Sequence, residues 1–117
     1  MKTLRLPYPP STNALYATVR GHRVKSAQGR AYAAEAGMLA RMAFPEPLAG
    51  RLEVGITVSP KRGIGMDLDN ACKCCLDSLT GICWRDDSQV WRLTIERAAP
   101  VKGGALVVSI REYEEMP

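Results

Sequence analysis

The chain has 117 residues, 46% of them hydrophobic, with a formal charge of +4. That length suits one domain, expected to span residues 1–117, and the apolar fraction and two tryptophans exclude a disordered chain. No run of about 18 apolar residues is present to cross a membrane, and Met1-Lys2-Thr3-Leu4-Arg5 lacks the apolar stretch of a secretory leader, so a cytoplasmic protein is expected.

Leu4-Arg5-Leu6 alternates like a short first strand and stops at Pro7. Pro7-Tyr8-Pro9-Pro10-Ser11-Thr12-Asn13 is turn-rich, and no regular structure is expected in it. Leu15 to Lys25 reads as a hairpin-like basic arm pivoting near Gly21. Ser26 is a helix cap for the alanine-rich residues 27–43, whose Ala31, Ala34, Met38 and Met42 form a stripe expected to pack in the core. Pro45 and Pro47 end that helix.

Leu52-Glu53-Val54-Gly55-Ile56-Thr57-Val58 alternates strictly and is the clearest strand. Pro60 closes it, and Lys61-Arg62-Gly63-Ile64-Gly65 follows as a partly basic loop. Its G-x-G lacks the third glycine of a dinucleotide fingerprint, so no organic cofactor is expected. A second helix should run from about Leu68 to Thr80 and stop at Gly81, burying Leu68, Cys72, Cys75, Leu76 and Leu79. Trp84 to Val90 forms a turn, Val90–Ile95 and Ala105–Ile110 alternate as strands joined through Lys102-Gly103-Gly104, and the acidic tail from Glu112 to Pro117 should be loose. The order β-α-β-α-β-β predicts an α+β domain, a mixed sheet with two helices packed on one face.

Charge is unevenly spread. Residues 1–65 carry ten Lys/Arg against three acids, and residues 66–117 carry six against nine. A basic half beside an acidic cluster suits a polyanion that needs a cation at one point, as nucleic acid does, and equally suits a basic soluble protein. Cys72, Cys74 and Cys75 are too close together for tetrahedral zinc from one helix, and with Cys83 they read as small hydrophobes. His22 is the only histidine, which leaves Ser/His and Cys/His nucleophilic chemistry thinly supported.

The chemistry concentrates at Asp67-Leu68-Asp69-Asn70, with Lys73 four residues after the second acid. Two carboxylates this close repel unless a proton or cation relieves them, and Mg²⁺ takes such oxygen ligands. A plain helix start, with acids favoured by the helix dipole, fits the same residues, and an i,i+4 ion pair with Asp69 explains Lys73 equally well. A second acidic pair, Asp86-Asp87, lies beyond the helix. A straight helix of that length separates its ends by roughly 18–20 Å. Residues 81–87 could cover that distance at about 3.3 Å per residue, so the two clusters can meet if the chain doubles back.

Three blocks in register give the chain a family likeness. Pro9-Pro10-Ser11-x-Asn13, Asp67-x-Asp69-Asn70-x-x-Lys73-x-x-x-Asp77-x-Leu79 and Asp86-Asp87-Ser88-Gln89-Val90, followed by Lys102-Gly103-Gly104, resemble the RusA family of Holliday junction resolvases over nearly the whole chain. The resemblance implies a homodimeric, Mg²⁺-dependent endonuclease of DNA recombination and repair, often carried by phages and prophages. Such an enzyme binds four-way junctions and nicks two opposing strands symmetrically. It further implies that Asp67, Asp69 and Asp87 hold the metal and that Lys73 is needed for cleavage. Beside them, Asn70 and Asp86 are candidates for orienting those ligands, and an ordinary helix-start amide fits Asn70 equally well. The basic run that often precedes D-x-D in the family is reduced here to Lys61-Arg62. The arm residues Arg20, Arg23 and Lys25, with Asn13, are therefore further DNA-contact candidates. A nuclease of other branched DNA, or a DNA-binding module without catalysis, are the alternatives.

Overall fold

The computed structural model describes residues 1–115. Its frame is a four-stranded sheet of β1 (Lys2–Leu6), β4 (Leu52–Ser59), β5 (Val90–Arg97) and β6 (Ala105–Glu112) in the order β1-β6-β4-β5. β6 runs antiparallel to both β1 and β4, and β5 is parallel to β4, so the sheet is mixed as expected. The strict alternation of β4 explains its central place: Val54, Ile56 and Val58 are buried on one face. Burying each contributes about 1.5–3 kcal/mol. Glu53 on the other face is held by Arg92 and Arg111, at 2.9 Å each.

Both main helices cover the apolar face. α2 (Ala27–Ala43) supplies Tyr32, Ala36 and Ala40, and α3 (Leu68–Leu79) supplies Ala71, Cys75 and Leu79, to one core that they share with β1, β4 and β6. Ser26 caps α2 as anticipated, its hydroxyl accepting from the Gly29 amide at 3.0 Å. The expected core stripe of α2 is wrong. Ala31 and Ala34 are exposed, and Met38 and Met42 are 55% and 76% exposed. The buried stripe lies a residue or two away, on Gly29, Tyr32, Ala36, Gly37 and Ala40. Close approach decides it: a side chain at position 29 would collide with the Leu15 carbonyl, so the helix turns its smallest residues inward and Tyr32 fills the remaining space.

The apolar face expected on α3 does face the core: Cys75 and Leu79 are buried together with Ala71, and Leu68, Cys72 and Leu76 pack half-buried against the same cluster. Cys75 and Cys83 are buried and all four thiols are free, in keeping with their reading as small hydrophobes. Burial pushes Cys74 and Cys83 each up to about 11, so neither is a nucleophile at neutral pH.

Between β1 and α2 the chain is more ordered than its prolines suggest. Ser11 caps a short helical turn, α1 (Thr12–Leu15), which includes Thr12 and Asn13. A separate hairpin follows, β2 (Tyr16–Val19) with β3 (His22–Lys25), closed by Arg20-Gly21. This is the basic arm. At the other end Glu112 closes β6, and the Tyr113 amide donates to the Arg51 carbonyl, so the tail is tied down further than expected. Met116 and Pro117 lie outside the described residues. Among the described residues no helix is long and apolar enough to cross a membrane.

Candidate active site

Asp67 occupies the N-cap of α3, yet its carboxylate makes no capping hydrogen bond. A capping aspartate normally accepts from the second or third helical amide. Among the described residues only the Asp67 carbonyl is engaged, accepting from Ala71 at 3.0 Å, and the exposed side chain has no partner for its oxygens. Asp69 sits within the first turn and is likewise exposed. The ordinary-cap explanation therefore fails for Asp67. No ion pair forms between Asp69 and Lys73 among the described residues either, so the ammonium stands unneutralised on the exposed side of α3.

The peptide leading into Asp67 is held from both sides. The Met66 amide donates to the Tyr8 hydroxyl at 2.9 Å, and the Met66 carbonyl accepts from Arg97 at 3.3 Å. Gly65 makes this possible. Its φ is +77°, and a β-carbon there would lie 2.5 Å from the Tyr8 oxygen and 2.6 Å from Pro60. Tyr8 was missed as a site residue because the proline-rich segment around it carries no periodic signal.

The second cluster is built differently. Asp86 caps the 3-10 turn Asp87–Gln89, its carboxylate accepting from the Ser88 amide at 2.9 Å, and that bond holds its carboxyl below the usual carboxylate range. The Gln89 side chain accepts from the Arg85 and Asp86 amides and donates to the Leu48 and Gly50 carbonyls, all within 3.1 Å. The buried Trp84, whose indole donates to Thr80 at 3.0 Å, anchors the turn from behind. So Asp86 is occupied in the backbone, while Asp87 is exposed. The D-x-x-Q spacing of a capping box is the signal that identifies Gln89 as the lock of this turn.

The two clusters do not meet within one chain. α3 runs back along the sheet, so Asp67 and Asp69 lie by the C-terminal ends of β4 and β5, where Arg97 touches Met66. Asp87 lies by their N-terminal ends, where Val90 pairs with Leu52. Twelve helical residues separate them by about 18 Å. The fold-back that could have joined them does not occur, because residues 80–84 turn under the helix end and feed straight into β5, parallel to β4. Among the described residues no group of three His, Cys, Asp or Glu side chains could hold a metal. Asp67 and Asp69 alone offer two free carboxylates, a donor set that suits Mg²⁺ with waters and a substrate phosphate completing the shell.

The DNA-contact candidates divide. Arg20, Arg23 and Lys25 are exposed on the arm, and Lys61 and Arg62 on the loop before Asp67. Arg23 stacks over the Tyr16 ring at 4.3 Å and lines one cleft with Asn70 and Lys73, while Asn13 lines the next hollow outward, with Thr18. Lys61 lies apart, beside Pro7–Pro10.

Comparison with known proteins bears on all of this. The Endodeoxyribonuclease RusA family matches residues 7–111. A crossover junction endodeoxyribonuclease RusA from Escherichia coli (strain K12) is 33% identical over 116 residues, which cover 94% of this chain and 93% of that protein. Proteins of the same name from Shigella sonnei and from Enterobacteria phage 82 are each 33% identical, over 116 and 115 residues. With the three acidic and proline-rich blocks inside the matched region and the similarity running nearly end to end, the chain belongs to the RusA endodeoxyribonuclease family.

Proposed function

We propose that this chain is a Mg²⁺-dependent endonuclease that resolves four-way DNA junctions as a homodimer, in recombination and repair of cytoplasmic DNA. The observation that carries the reading is the pair of disengaged carboxylates, Asp67 and Asp69, beside the unpaired Lys73, in a chain of this family.

Asp67 and Asp69 would hold the metal from one copy. Asp87, the exposed acid of the second cluster whose family counterpart is a metal ligand, would come from the second. β5 favours this assignment. Among the described residues it pairs with β4 alone, its Trp91 and Leu93 are 56% and 40% exposed, and it runs from Asp87 at one end to Arg97, against Met66, at the other. Two copies related by a two-fold axis and lying antiparallel along β5 would bring each Asp87 to the other copy's Asp67 and Asp69. Both ends of the shared β5 seam would then carry a site, as symmetric nicking of opposite strands requires.

When bound, the metal supplies Lewis acidity at the phosphoryl group and lowers the pKa of a coordinated water. The protein's part is positional and electrostatic. Tyr8, Arg97 and Gly65 fix the peptide before Asp67, which would limit the backbone rearrangement needed to present its carboxylate. Lys73 brings a compact positive charge to the phosphate oxygens or the leaving 3′ oxygen, where negative charge grows. Asn70, half-buried one turn before it, can orient a ligand or a water through its amide.

Incubating the protein with a synthetic four-way junction, a flap and a linear duplex in Mg²⁺, and mapping nicks on every strand, tests the reading. Paired nicks at symmetry-related positions of the junction alone are expected, with Asp69→Asn abolishing them and retaining junction binding. Preferred cutting of the flap makes the protein a nuclease of other branched DNA, and tight, salt-sensitive binding without any product makes it a DNA-binding module.

A further inference from the structure

We infer that the cleft between α1, the basic arm and α3 is a subsite for one backbone phosphate neighbouring the scissile one, and that Arg23 is its positioning residue. The inference rests on the nuclease reading above and extends it to a place and a residue. The cleft measures about 90 Å³ and is lined by Thr12, Tyr16, Arg23, Asn70 and Lys73, with Leu15 and Cys74 at its floor.

Its chemistry selects an anion. Two cations, two hydroxyl-bearing side chains and an amide line it, no carboxylate does, and neither Arg23 nor Lys73 has an acidic partner among the described residues. The nearest acids along α3 are Asp69, beside Asn70 and four residues before Lys73, and Asp77, four residues after it; neither lines the cleft, and Asp77 lines the adjoining small cavity that Lys25 also borders. The guanidinium is already oriented, because it stacks 4.3 Å above the Tyr16 ring. Such stacking leaves the donor edge of an arginine free for phosphate oxygens. It also covers the ring, the one flat apolar wall on which an unstacked base could lie, so a phosphate rather than a base is the occupant. Lys73 stands on the facing wall, on the same helix as Asp69 and one turn beyond it. A phosphate held here would thus be one or two nucleotides from the phosphate being cut. The arm then supplies a grip where the loop before Asp67 offers only Lys61 and Arg62.

The test measures binding of a synthetic four-way junction in Ca²⁺, without cleavage, after the cut position has been mapped. Phosphates within three nucleotides of the cut are replaced one at a time by neutral methylphosphonates. One replacement is expected to weaken binding severalfold in the wild type and to have no further effect in Arg23→Gln. The same variant should lower the slope of log affinity against log salt by about 1, and Arg23→Lys should restore the slope but only part of the affinity. Arg23 is exposed, so melting curves of these variants should overlay the wild type. If neutralisation and Arg23→Gln multiply at every phosphate, the subsite does not exist. If Arg23→Gln instead removes a preference for one base at the cut, the cleft reads a base and the phosphate assignment falls. Metal-dependent cutting is scored separately: its absence counts against the nuclease, whereas the coupling of Arg23 to a single phosphate stands or falls on binding alone.

Discussion

Mixing two inactive variants, Asp69→Asn and Asp87→Asn, should restore junction cleavage that neither has alone. The reason is distance. α3 spans twelve residues, about 18 Å, and β5 spans eight residues, about 26 Å, between the levels of the two acidic clusters. Mg²⁺ binds its oxygens at about 2.0–2.1 Å, so ligands of one ion must approach within a few ångströms of one another, far less than either span. A site needing all three carboxylates must then draw Asp87 from a second copy. In a mixed dimer one site carries both substitutions and the other carries neither. Random exchange of equal amounts makes about half the dimers mixed, so about a quarter of all sites are intact. The assay is nicking of a labelled four-way junction after the variants have been co-incubated, with differently tagged copies showing that exchange has occurred. Recovery should be limited to single nicks, because each mixed dimer holds one working site. A mixture as inactive as its parents, with exchange demonstrated, would refute the shared site and require the two clusters of one chain to rearrange.

Three further substitutions follow from the same structure. Lys73→Met should lower the cleavage rate by about 10²–10³ while junction binding falls only a few fold and the melting temperature holds, since the ammonium is exposed and unpaired; a proportionate loss of binding would reduce Lys73 to a simple phosphate contact. Gly65→Ala should destabilise the fold by about 1–3 kcal/mol in urea titrations, because φ is +77° and the new methyl meets Tyr8 and Pro60; an unchanged midpoint would show that the loop relaxes. Hydrogen bonds from Arg111 and then Arg92 hold Glu53 below its usual value of 4.5. A carboxyl lowered on folding adds stability above its unfolded value and loses it as pH falls through the folded one. Urea midpoints should therefore drop on acidification below about pH 4.5, and less steeply in Glu53→Gln; parallel curves would remove Glu53 as a contributor.

Much of the frame was legible because it follows from local pattern. The alternation of β4, the Ser26 cap and the stop at Gly81 are each decided within a few residues, and each is found where the sequence puts it. The inward face of α2 was not legible, since Met38 and Met42 look more apolar than Gly29 and Ala36, and only the approach of the Leu15 carbonyl reverses that ranking. Asp67 and Asp69 were visible as a pair, but their freedom from capping and ion pairing depends on where neighbouring groups fall in space. Tyr8 acts across 58 residues of chain, and no spacing rule reaches that far. The meeting of the acidic clusters failed for a different reason. Loop length permitted it, but the parallel pairing of β5 with β4 dictates which way the chain must run after the helix.

That parallel pairing also bears on why a junction-cutting enzyme would be built in this way. A β-α-β unit necessarily sets the start of its helix and the start of its second strand at opposite ends of the sheet. Acids placed at both starts are thus kept apart in a single copy, and Asp67 with Asp69 is left short of Asp87 by the length of the helix. A two-fold partner, as proposed, would reverse the sheet and bring the missing acid to each end at once. Completing one site this way completes the other, so a lone copy would hold no full metal set and a pair would hold two. Cutting power would then appear only together with the symmetry that a four-way junction presents, and a substitution that weakens dimerisation along β5 should reduce metal affinity and cleavage in parallel without touching any carboxylate.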